Sequence, residues 1–468
     1  MSESSNEKKK SQYEHLLYKK KNAYELMSDE EIVSCEKFAE GYIDFLTKAK
    51  TERLAVKEAV KLAEAAGFKP YVYGKKLKPG DKVYDINRDK ALTLVVMGKA
   101  PLKDGVNLVA AHVDAPRIDL KQNPLYEDSE IALFKTRYYG GIKKYQWVAI
   151  PLELHGVFVK KDATKVDVSI GPDKGDPLFT ITDLLPHLGA DQMKKTMAEG
   201  ITGEGLNVIV GSRPLKDEGE SKVKMQILKI LNEKYGVTEE DFLSAELSVV
   251  PAFDTREIGF DRSLIGGYGH DDRVCAYSGL MAVLEQDMPE KTAVCLLVDK
   301  EEIGSEGVTG MKSAYFDCFM SDLCQSEGTT IYECFANSFC LSTDVCNAFD
   351  PNFPEVSDKR NNAQLNYGLS ILKHTGSRGK SGASDASAEV IAKLRKLFSE
   401  NGVIWQMGEL GKVDQGGGGT VAMFTAVRNI DTIDAGVPVL SMHAPYEIIS
   451  KADLYMTYKG IKALFKNN

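Results

Sequence analysis

The sequence predicts an α/β protein whose central, mostly parallel sheet lies between helices and carries an inserted β-rich domain. Two observations indicate this class. Apolar strand-like runs alternate with helical segments towards both ends of the chain, as in ALTLVVMG at 91–98, NLVAAHVD at 107–114 and TAVCLLVD at 292–299, which is typical of a sheet covered on both faces. In the middle of the chain, short alternating segments such as WVAIPLELHGVFV and KVDVSIG predict strands instead.

The domain organisation follows from the length of the chain and from this change of pattern. A chain of 468 residues is too long for one ordinary core, so we expect two domains. The β-rich domain is expected at 120–250. The flanking segments, 1–119 and 251–468, are expected to form one discontinuous α/β domain.

The helices of the α/β domain are predicted from the spacing of their apolar residues. Helical periodicity runs from about Gln12 to Ala66, breaks at Gly67 and returns after Pro251. Inside the β-rich region, KVKMQILKILNEKYG predicts one further helix. The later helices are predicted at DDRVCAYSGLMAVLEQ, GMKSAYFDCFMSDLCQ, SDASAEVIAKLRKLFSE and ISKADLYMTYKGIKALF, and the strands among them at FCLSTDV, GVIWQMG and VPVLSMH.

Composition excludes several classes of protein. A net charge of -9 argues against a nucleic-acid partner, which would favour a basic surface. The polar, lysine-rich start does not resemble a signal peptide, and no apolar run is long enough to cross a bilayer. The eight cysteines show no CxxC spacing, and several lie in apolar segments. We therefore interpret them as reduced, mostly buried thiols of a cytoplasmic protein.

Polar residues at the predicted strand ends are the strongest functional signal. In an open α/β sheet, ligands bind outside the carboxyl ends of the strands. Five separate segments each bring a carboxylate or an imidazole to this edge of the sheet. They contribute His112 and Asp114, then His270, Asp271 and Asp272, then Glu301 and Glu302, then Asp344, and finally His443.

Such a cluster predicts a metal site, because converging carboxylates repel each other unless cations neutralise them. Histidine and carboxylate ligands without cysteine suit zinc, cobalt or manganese. Two ions would need a bridging carboxylate and a free carboxylate that takes a proton from water. The neighbouring Glu301 and Glu302 fit this need, one as a ligand and one as a general base. Spacing alone does not decide which glutamate has which role.

At these residues the chain resembles the M18 metallo-aminopeptidases, the aspartyl aminopeptidase and aminopeptidase I family. The similarity covers nearly the whole chain, and its motifs appear in the order of the family. It implies the zinc-exopeptidase type of α/β fold, with two divalent metal ions per subunit. Zinc is the expected metal, and cobalt and manganese are alternatives. The motifs are AAHVDAPR, GHDDR, DKEEIGSEG, STDVCNAFDPNF, GASDASAE and VPVLSMHAPYE.

The resemblance also implies a role for each position. Asp271 would bridge both metals, His112 and Asp344 would complete one site, and Glu302 and His443 would complete the other. Glu301 would be the general base. It would act on a water that bridges the metals, and this water would attack the bond that joins the N-terminal residue to the rest of the peptide. The remaining two carboxylates would support the ligands: Asp114 would orient His112, and Asp272 would lie beside Asp271 without binding metal.

The family resemblance further implies an assembly. The β-rich domain would be a dimerisation domain, and dimers would assemble into a tetrahedral dodecamer. His187, in TDLLPHLGAD, would reach the active site of the neighbouring subunit and bind substrate or the developing oxyanion. Lys373 would pair with a substrate carboxylate, and Thr420, after the glycines at 416–419, would lie near the substrate backbone.

Other functions remain to be weighed against this one. A carboxypeptidase or an N-deacylase could share a dinuclear centre, and a scaffold could keep the fold without turnover. A serine hydrolase is disfavoured because no GxSxG motif occurs. A nucleotide site at HTGSRGKSG is rejected because His374 stands where a phosphate loop needs glycine. The sequence leaves open which N-terminal residue is preferred.

Overall fold

The computed structural model describes residues 11–217 and 219–466 of the chain. The helices are distributed along both flanking segments, with two in the middle region. Within the described ranges they are α1 Asp29–Lys48, α2 Glu52–Ala65, α3 Met197–Gly200, α4 Lys222–Tyr235, α5 His270–Leu284, α6 Tyr315–Glu327, α7 Ile331–Ala336, α8 Ala388–Glu400, α9 Ala422–Ala426 and α10 Lys451–Lys466.

The strands form three sheets. In the same described ranges they are β1 Lys69–Pro70, β2 Lys82–Asn87, β3 Ala91–Val96, β4 Val106–His112, β5 Arg117–Asp128, β6 Ile131–Tyr139, β7 Leu152–Val159, β8 Lys165–Ile170, β9 Val208–Gly211, β10 Ala245–Pro251, β11 Arg256–Ile258, β12 Leu264–Gly267, β13 Thr292–Val298, β14 Phe339–Ser342, β15 Cys346–Asn347, β16 Leu369–Leu372, β17 Trp405–Met407, β18 Asp431–Gly436, β19 Pro438–Leu440 and β20 Glu447–Ser450.

The largest sheet of the described chain has nine strands in the order β1-β2-β3-β13-β4-β14-β18-β16-β17. Five of its eight pairings are parallel, and the four central strands, β13, β4, β14 and β18, all run in the same direction. The antiparallel pairings lie towards the edges. The prediction of an α/β fold with a mostly parallel sheet is therefore confirmed, although the sheet is mixed.

Helices cover both faces of this sheet. Strand β13 is buried along its whole length. Its alternate residues pack into two different cores, since successive side chains of a strand point to opposite faces. Cys295 and Leu297 join the core beneath α1, α2, α5, α8 and α10, whereas Leu296 and Val298 join the core beneath α6 and α7. Burial on both sides explains why TAVCLLV is continuously apolar.

The middle of the chain builds a separate sheet. Its six strands, in the order β8-β7-β10-β5-β6-β9, pair only in the antiparallel sense over the residues that the structure describes. Trp147, Phe158 and Phe242 are among the side chains of its own hydrophobic core. The strand β5 begins at Arg117, five residues after the buried strand β4 ends at His112. The two sheets are thus connected directly beside the predicted site.

A third, five-stranded sheet of the described residues has the order β11-β12-β20-β19-β15. Strand β12 is followed by the start of α5, and β19 and β20 form an antiparallel pair with a loop between them. This small sheet therefore holds two of the predicted ligand segments, Asp271 at the start of α5 and His443 in the β19–β20 loop.

The N-terminal helix is shorter than its sequence periodicity predicts. Helical periodicity was expected from about Gln12, but α1 begins only at Asp29, and short 3₁₀ turns at Glu14–Leu16 and Ala23–Glu25 precede it. The cause is a capping box, in which the Ser28 side chain accepts from the Glu31 amide and the Glu31 carboxylate accepts from the Ser28 amide.

Two further expectations concern the whole chain. All eight cysteines are free, and seven of them are buried, which agrees with the interpretation of buried thiols. Among residues 11–217 and 219–466, no helix combines the length and the apolar character needed to span a membrane.

Candidate metal centre

The predicted site residues converge at the carboxyl ends of the central strands. His112 is the last residue of β4, and the glutamate pair forms a 3₁₀ turn, Glu301–Ile303, just after β13. Asp344 follows β14 by two residues. Since β13, β4 and β14 are adjacent and parallel, their ends meet at one place. The start of α5 and the β19–β20 loop close this place from the side.

Asp271 lies at the middle of the cluster. Its Oδ1 atom is 3.2 Å from His112 Nε2, and its Oδ2 atom is 3.2 Å from His443 Nε2. The two oxygens of one carboxylate thus face two different imidazoles. The Asp271–Asp272 peptide bond is cis. The placement of the two Asp271 oxygens, each beside one imidazole, is suited to bridging two cations.

Other carboxylates lie around each imidazole. Glu302 Oε2 is 3.5 Å from His443 Nε2, and Asp344 Oδ1 is 3.9 Å from His112 Nε2. Among the described residues, two groups bring potential ligand atoms within 4.8 Å of one another: His112 with Asp271 and Glu302, and His112 with Asp272 and Asp344. The sequence interpretation placed Asp272 beside the ligands without a metal bond. The structure places Asp272 in the same group of potential ligands as Asp344.

Asp114 joins the strand end that carries His112 to the glutamate turn. Its Oδ1 atom is 3.3 Å from His112 Nδ1 and accepts the Glu301 amide at 3.2 Å. Its Oδ2 atom accepts the Glu302 amide at 3.2 Å. His112 Nδ1 donates towards Asp114. The Nε2 atom of His112 therefore remains available to bind a metal ion.

Three residues that support the site were not identified from the sequence. Glu447 accepts the His443 amide at 2.7 Å and the Asp271 amide at 3.0 Å, so it ties two ligand segments together. Tyr139 donates its hydroxyl to Asp114 at 2.8 Å, and the Gly141 carbonyl lies 2.9 Å from His443 Nδ1. The local sequence gives little indication of these roles. Glu447 begins the apolar strand EIIS, and Gly141 belongs to a glycine pair that follows a strand.

The cluster has the electrostatics of a site for cations. Burial alone would lower the pKa of His443, but contact with Asp271 and with Glu302 raises it to about 10. Burial, and then the neighbouring carboxylates, raises the pKa of Glu302 and of Asp344. The strongly negative surroundings therefore favour any positive charge placed between these groups.

The donor set fits divalent metal ions. Glu302 Oε1 and Asp272 Oδ1 are buried atoms without a hydrogen-bond partner in the described chain, and such atoms are costly unless something else binds them. Imidazoles and carboxylates without thiolates suit zinc, cobalt and manganese. Two cysteines lie near the cluster along the chain, Cys346 two residues after Asp344 and Cys275 three residues after Asp272. Both are packed in hydrophobic cores, and neither belongs to the two groups of potential ligands among the described residues.

Glu301 differs from its neighbour Glu302. Glu301 belongs to neither group of potential ligands, although, like Glu302, it is half-buried and its backbone amide donates to Asp114. Burial, together with the charges of Asp271 and Asp114, raises the pKa of Glu301 to about 7. A carboxylate with a pKa near neutrality can both accept and return a proton, so the side chain is suited to general acid–base chemistry.

The two residues expected near the substrate make internal contacts in this chain. Thr420 donates its hydroxyl to the buried Asp434 at 2.8 Å. Lys373 forms an ion pair with Asp385, which also binds Lys380 at 3.0 Å. The glycines before Thr420 pack closely on the neighbouring loop, where the Gly418 amide donates to the Thr375 carbonyl at 2.8 Å.

His187 lies away from such contacts. Its side chain is exposed, and it makes no hydrogen bond or ion pair with the residues that the structure describes. The loop around it is unusually apolar for a surface. Its exposed side chains include Leu184, Leu185, Leu188, Met193 and Met197.

A cluster of imidazoles and carboxylates at the ends of parallel strands, with a glutamate of raised pKa beside it, defines a metal-dependent hydrolase. The comparison with known proteins identifies the family. The sequence profile described as "Aminopeptidase I zinc metalloprotease (M18)" matches residues 45–465. The chain therefore belongs to the M18 family, and it is a metallo-aminopeptidase.

Similar proteins cover the chain almost completely. The probable M18 family aminopeptidase 1 of Clostridium acetobutylicum is 50% identical over 461 residues, covering 97% of this chain and 99% of that protein. The crystal structure of an M18 family aminopeptidase from Thermotoga maritima matches with a TM-score of 0.92 at 47% identity, covering 97% of this chain and all of that one. The S. cerevisiae mApe1 dodecamer shares the fold at a TM-score of 0.75 and 21% identity, covering 92% of this chain and 97% of that one.

Replacing His112 tests whether this cluster binds metal. His112 belongs to both groups of potential ligands, so His112→Ala is expected to weaken zinc binding by more than the about 10- to 100-fold that loss of a supporting partner costs. Zinc retained per chain after dialysis at fixed free zinc measures the effect. The exposed His15→Ala serves as the matched control. Equal zinc content in His112→Ala and in the wild type would show that the ions bind elsewhere.

Proposed function

We propose that this chain removes the N-terminal residue from peptides with the help of two divalent ions. Zinc is the ion that the family description favours, and cobalt and manganese suit the same ligands. The observation that carries the proposal is the position of Asp271, whose two oxygens each lie 3.2 Å from a different imidazole. One carboxylate between two imidazoles is suited to two ions rather than one.

The ligands divide into two sets around Asp271. His112 and Asp344 would hold one ion, and Glu302 and His443 would hold the other, in keeping with which carboxylate lies near which imidazole. We assign Asp272 to orienting the strand end, because its Oδ2 atom accepts the His112 amide at 3.3 Å.

The bound ions would supply an acidified water and a polarised scissile carbonyl. Glu301 is the group that moves the proton. It takes one proton from the attacking water as the new carbon–oxygen bond forms, and it returns that proton to the peptide nitrogen as the carbon–nitrogen bond breaks. Burial raises the pKa of Glu301, which suits a group that both accepts and returns a proton. Asp114 fixes the position of Glu301 through its backbone amide.

A free amino group on the substrate would explain removal of a single terminal residue. The free amine of a peptide N-terminus can bind a metal ion or pair with a neighbouring carboxylate of the cluster. A carboxypeptidase with the same centre would require a free carboxyl terminus. An N-deacylase would instead prefer blocked amines, so the two activities can be separated by substrate.

The middle region supports a role in assembly. We propose that 120–250 is a dimerisation domain attached to a catalytic domain formed by 1–119 and 251–468. The exposed apolar loop around His187 supports this, since large exposed apolar patches mark contact surfaces. A neighbouring copy would cover the loop, and His187 would then bind the substrate or the developing oxyanion of that copy. A tetrahedral dodecamer of dimers is the assembly that we propose, like the dodecamer formed by the yeast protein.

The loops at 373–385 and 416–420 are proposed to line the pocket for the substrate's first residue. Lys373 would have to leave Asp385 to bind a substrate carboxylate, so an acidic first residue would compete with an existing ion pair. Thr420 holds Asp434 and thereby shapes the glycine loop. We propose that the enzyme acts in the cytoplasm, in keeping with its eight free thiols.

Glu301→Gln tests the proton transfer. The amide cannot accept the proton, so kcat for an aminoacyl amide is expected to fall by about 10²- to 10⁴-fold while bound zinc stays unchanged. Steady-state hydrolysis of a panel of aminoacyl amides, each with a free or an N-acetylated amine, measures both points. Only the free amines should be hydrolysed by the wild type.

The control for this variant is Glu306→Gln, an exposed glutamate of the same loop that pairs with Lys312. It should hydrolyse the panel at the wild-type rate. Full turnover by Glu301→Gln would refute the proton transfer, and faster hydrolysis of the N-acetylated series would identify a deacylase instead.

His187→Phe tests the proposed contact between subunits. Loss of a group that stabilises an oxyanion is expected to lower kcat by about 10²-fold. The assembly size should not change, because the phenylalanine ring is similar in size to the imidazole and is apolar. Kinetics and light scattering on the same samples measure the two effects, with His15→Phe as the control. If His187→Phe assembles normally and keeps the wild-type kcat, the histidine has no role in catalysis.

A further inference from the structure

The end of strand β6 reaches the metal centre, although β6 belongs to the antiparallel sheet of the middle region. Two atoms of this segment contact different sides of the centre. The Tyr139 hydroxyl donates to Asp114 Oδ2 at 2.8 Å, and the Gly141 carbonyl accepts from His443 Nδ1 at 2.9 Å. We call Tyr139, Gly140 and Gly141 the β6 strap.

Tyr139 acts on the glutamate turn through Asp114. The two oxygens of Asp114 accept the amides of Glu301 and Glu302, and Oδ1 also lies 3.3 Å from His112 Nδ1. The tyrosine hydroxyl occupies a further acceptor site of the same carboxylate. A carboxylate that is held on several sides has little freedom to rotate. The Tyr139 hydroxyl therefore helps to fix Asp114, which positions both Glu301 and Glu302.

Gly141 acts on the opposite side of the centre. Its carbonyl can only accept a hydrogen bond, so the neutral His443 ring must carry its proton on Nδ1. The lone pair of Nε2 is then free. That nitrogen faces Asp271 Oδ2 at 3.2 Å and Glu302 Oε2 at 3.5 Å, where an ion would bind. The carbonyl therefore selects the tautomer that can bind metal.

The glycines of the β6 strap allow it to approach the metal centre closely. Gly140 has a φ of +72°, and a Cβ atom there would lie 3.3 Å from Glu302 Cβ and 3.4 Å from Glu302 Oε2. At Gly141 a Cβ atom would lie 3.4 Å from His443 Nδ1. The first position is both conformationally unfavourable for a side chain and tightly packed against a proposed ligand.

Tyr139 is itself held from the side of the middle region. It pairs with Arg117 in the β5–β6 ladder, and the Arg117 guanidinium stacks 4.0 Å from the tyrosine ring centroid. Arg117 is buried and lies 3.1 Å from Glu52 of α2 and 2.8 Å from Asp119. The tyrosine is thus placed by contacts that join the six-stranded sheet to helix α2 of the α/β region.

We propose that the β6 strap positions the metal ligands of this enzyme, so that the middle region helps to form the metal centre within its own subunit. Tyr139 and Gly141 are positioning residues, since neither is among the proposed ligands. The inference rests on the metal site described under the proposed function. By linkage, ions that bind the centre also hold the strap in place.

Tyr139→Phe tests the proposal directly. It removes only the hydroxyl and keeps the ring on Arg117. The apparent zinc dissociation constant, measured by competition with a chelating dye, is expected to rise about 10-fold or more. Excess zinc should restore most of kcat, and KM for an aminoacyl amide should not change. Tyr138→Phe is the matched control, because Tyr138 is exposed and points to the opposite face of the same strand.

The wild type offers a second test that does not depend on the folding of a variant. Hydrogen exchange of a peptide covering 138–143 should become faster when zinc is removed from the intact enzyme, whereas a peptide from the distant strand β8 should not change. Unaltered exchange at 138–143, or a Tyr139→Phe protein with the wild-type zinc affinity, would overturn the role of the strap. Failure of the wild type to bind zinc would instead overturn the proposed metal site.

Discussion

Repulsion among buried carboxylates is the constraint on which the rest of this structure depends. Two like charges about 4 Å apart repel by about 4 kcal/mol at an effective dielectric constant of about 20. Asp114, Asp271, Asp272, Glu302 and Asp344 share one small volume, and most are almost inaccessible to water. Hydrogen bonds satisfy Asp114 completely. The others have oxygens that face imidazoles or, in the described chain, have no hydrogen-bond partner, so cations placed between them would stabilise the cluster.

In this fold, the residues proposed to bind cations are distinct from the residues that hold them in position. Parallel strands bring residues distant in sequence to one edge, and each ligand segment is then tied to another by a carboxylate that binds backbone amides. Asp114 connects the end of β4 to the glutamate turn, and Glu447 connects the start of α5 to the loop of His443. Main-chain hydrogen bonds thus hold together the segments that carry the proposed ligands.

Much of this could be predicted from the sequence, for clear physical reasons. Short apolar runs bounded by polar residues, such as TAVCLLV, favour buried strands. In a parallel sheet the polar residues at their carboxyl ends lie at a common edge, so the sequence predicts His112, Glu302 and Asp344 as neighbours. The family resemblance then ordered their roles. The long helical periodicity before Ser28 was misleading, because a local capping box decides where α1 begins.

The supporting contacts could not be predicted. Tyr139 and Glu447 reach the site from strands whose register depends on tertiary packing, and nothing in their local sequence indicates a hydrogen bond to Asp114 or Asp271. The distance from Asp272 to His112 also depends on the backbone turn at the start of α5. His187 is a different case, since its proposed partner belongs to another copy of the chain.

Anomalous diffraction from zinc-loaded crystals tests the central claim most directly. Two zinc peaks about 3.5–4 Å apart are expected, with Asp271 between them, His112 and Asp344 on one, and Glu302 and His443 on the other. A single peak, or peaks that do not share Asp271, would contradict the view that two cations hold these acidic groups together.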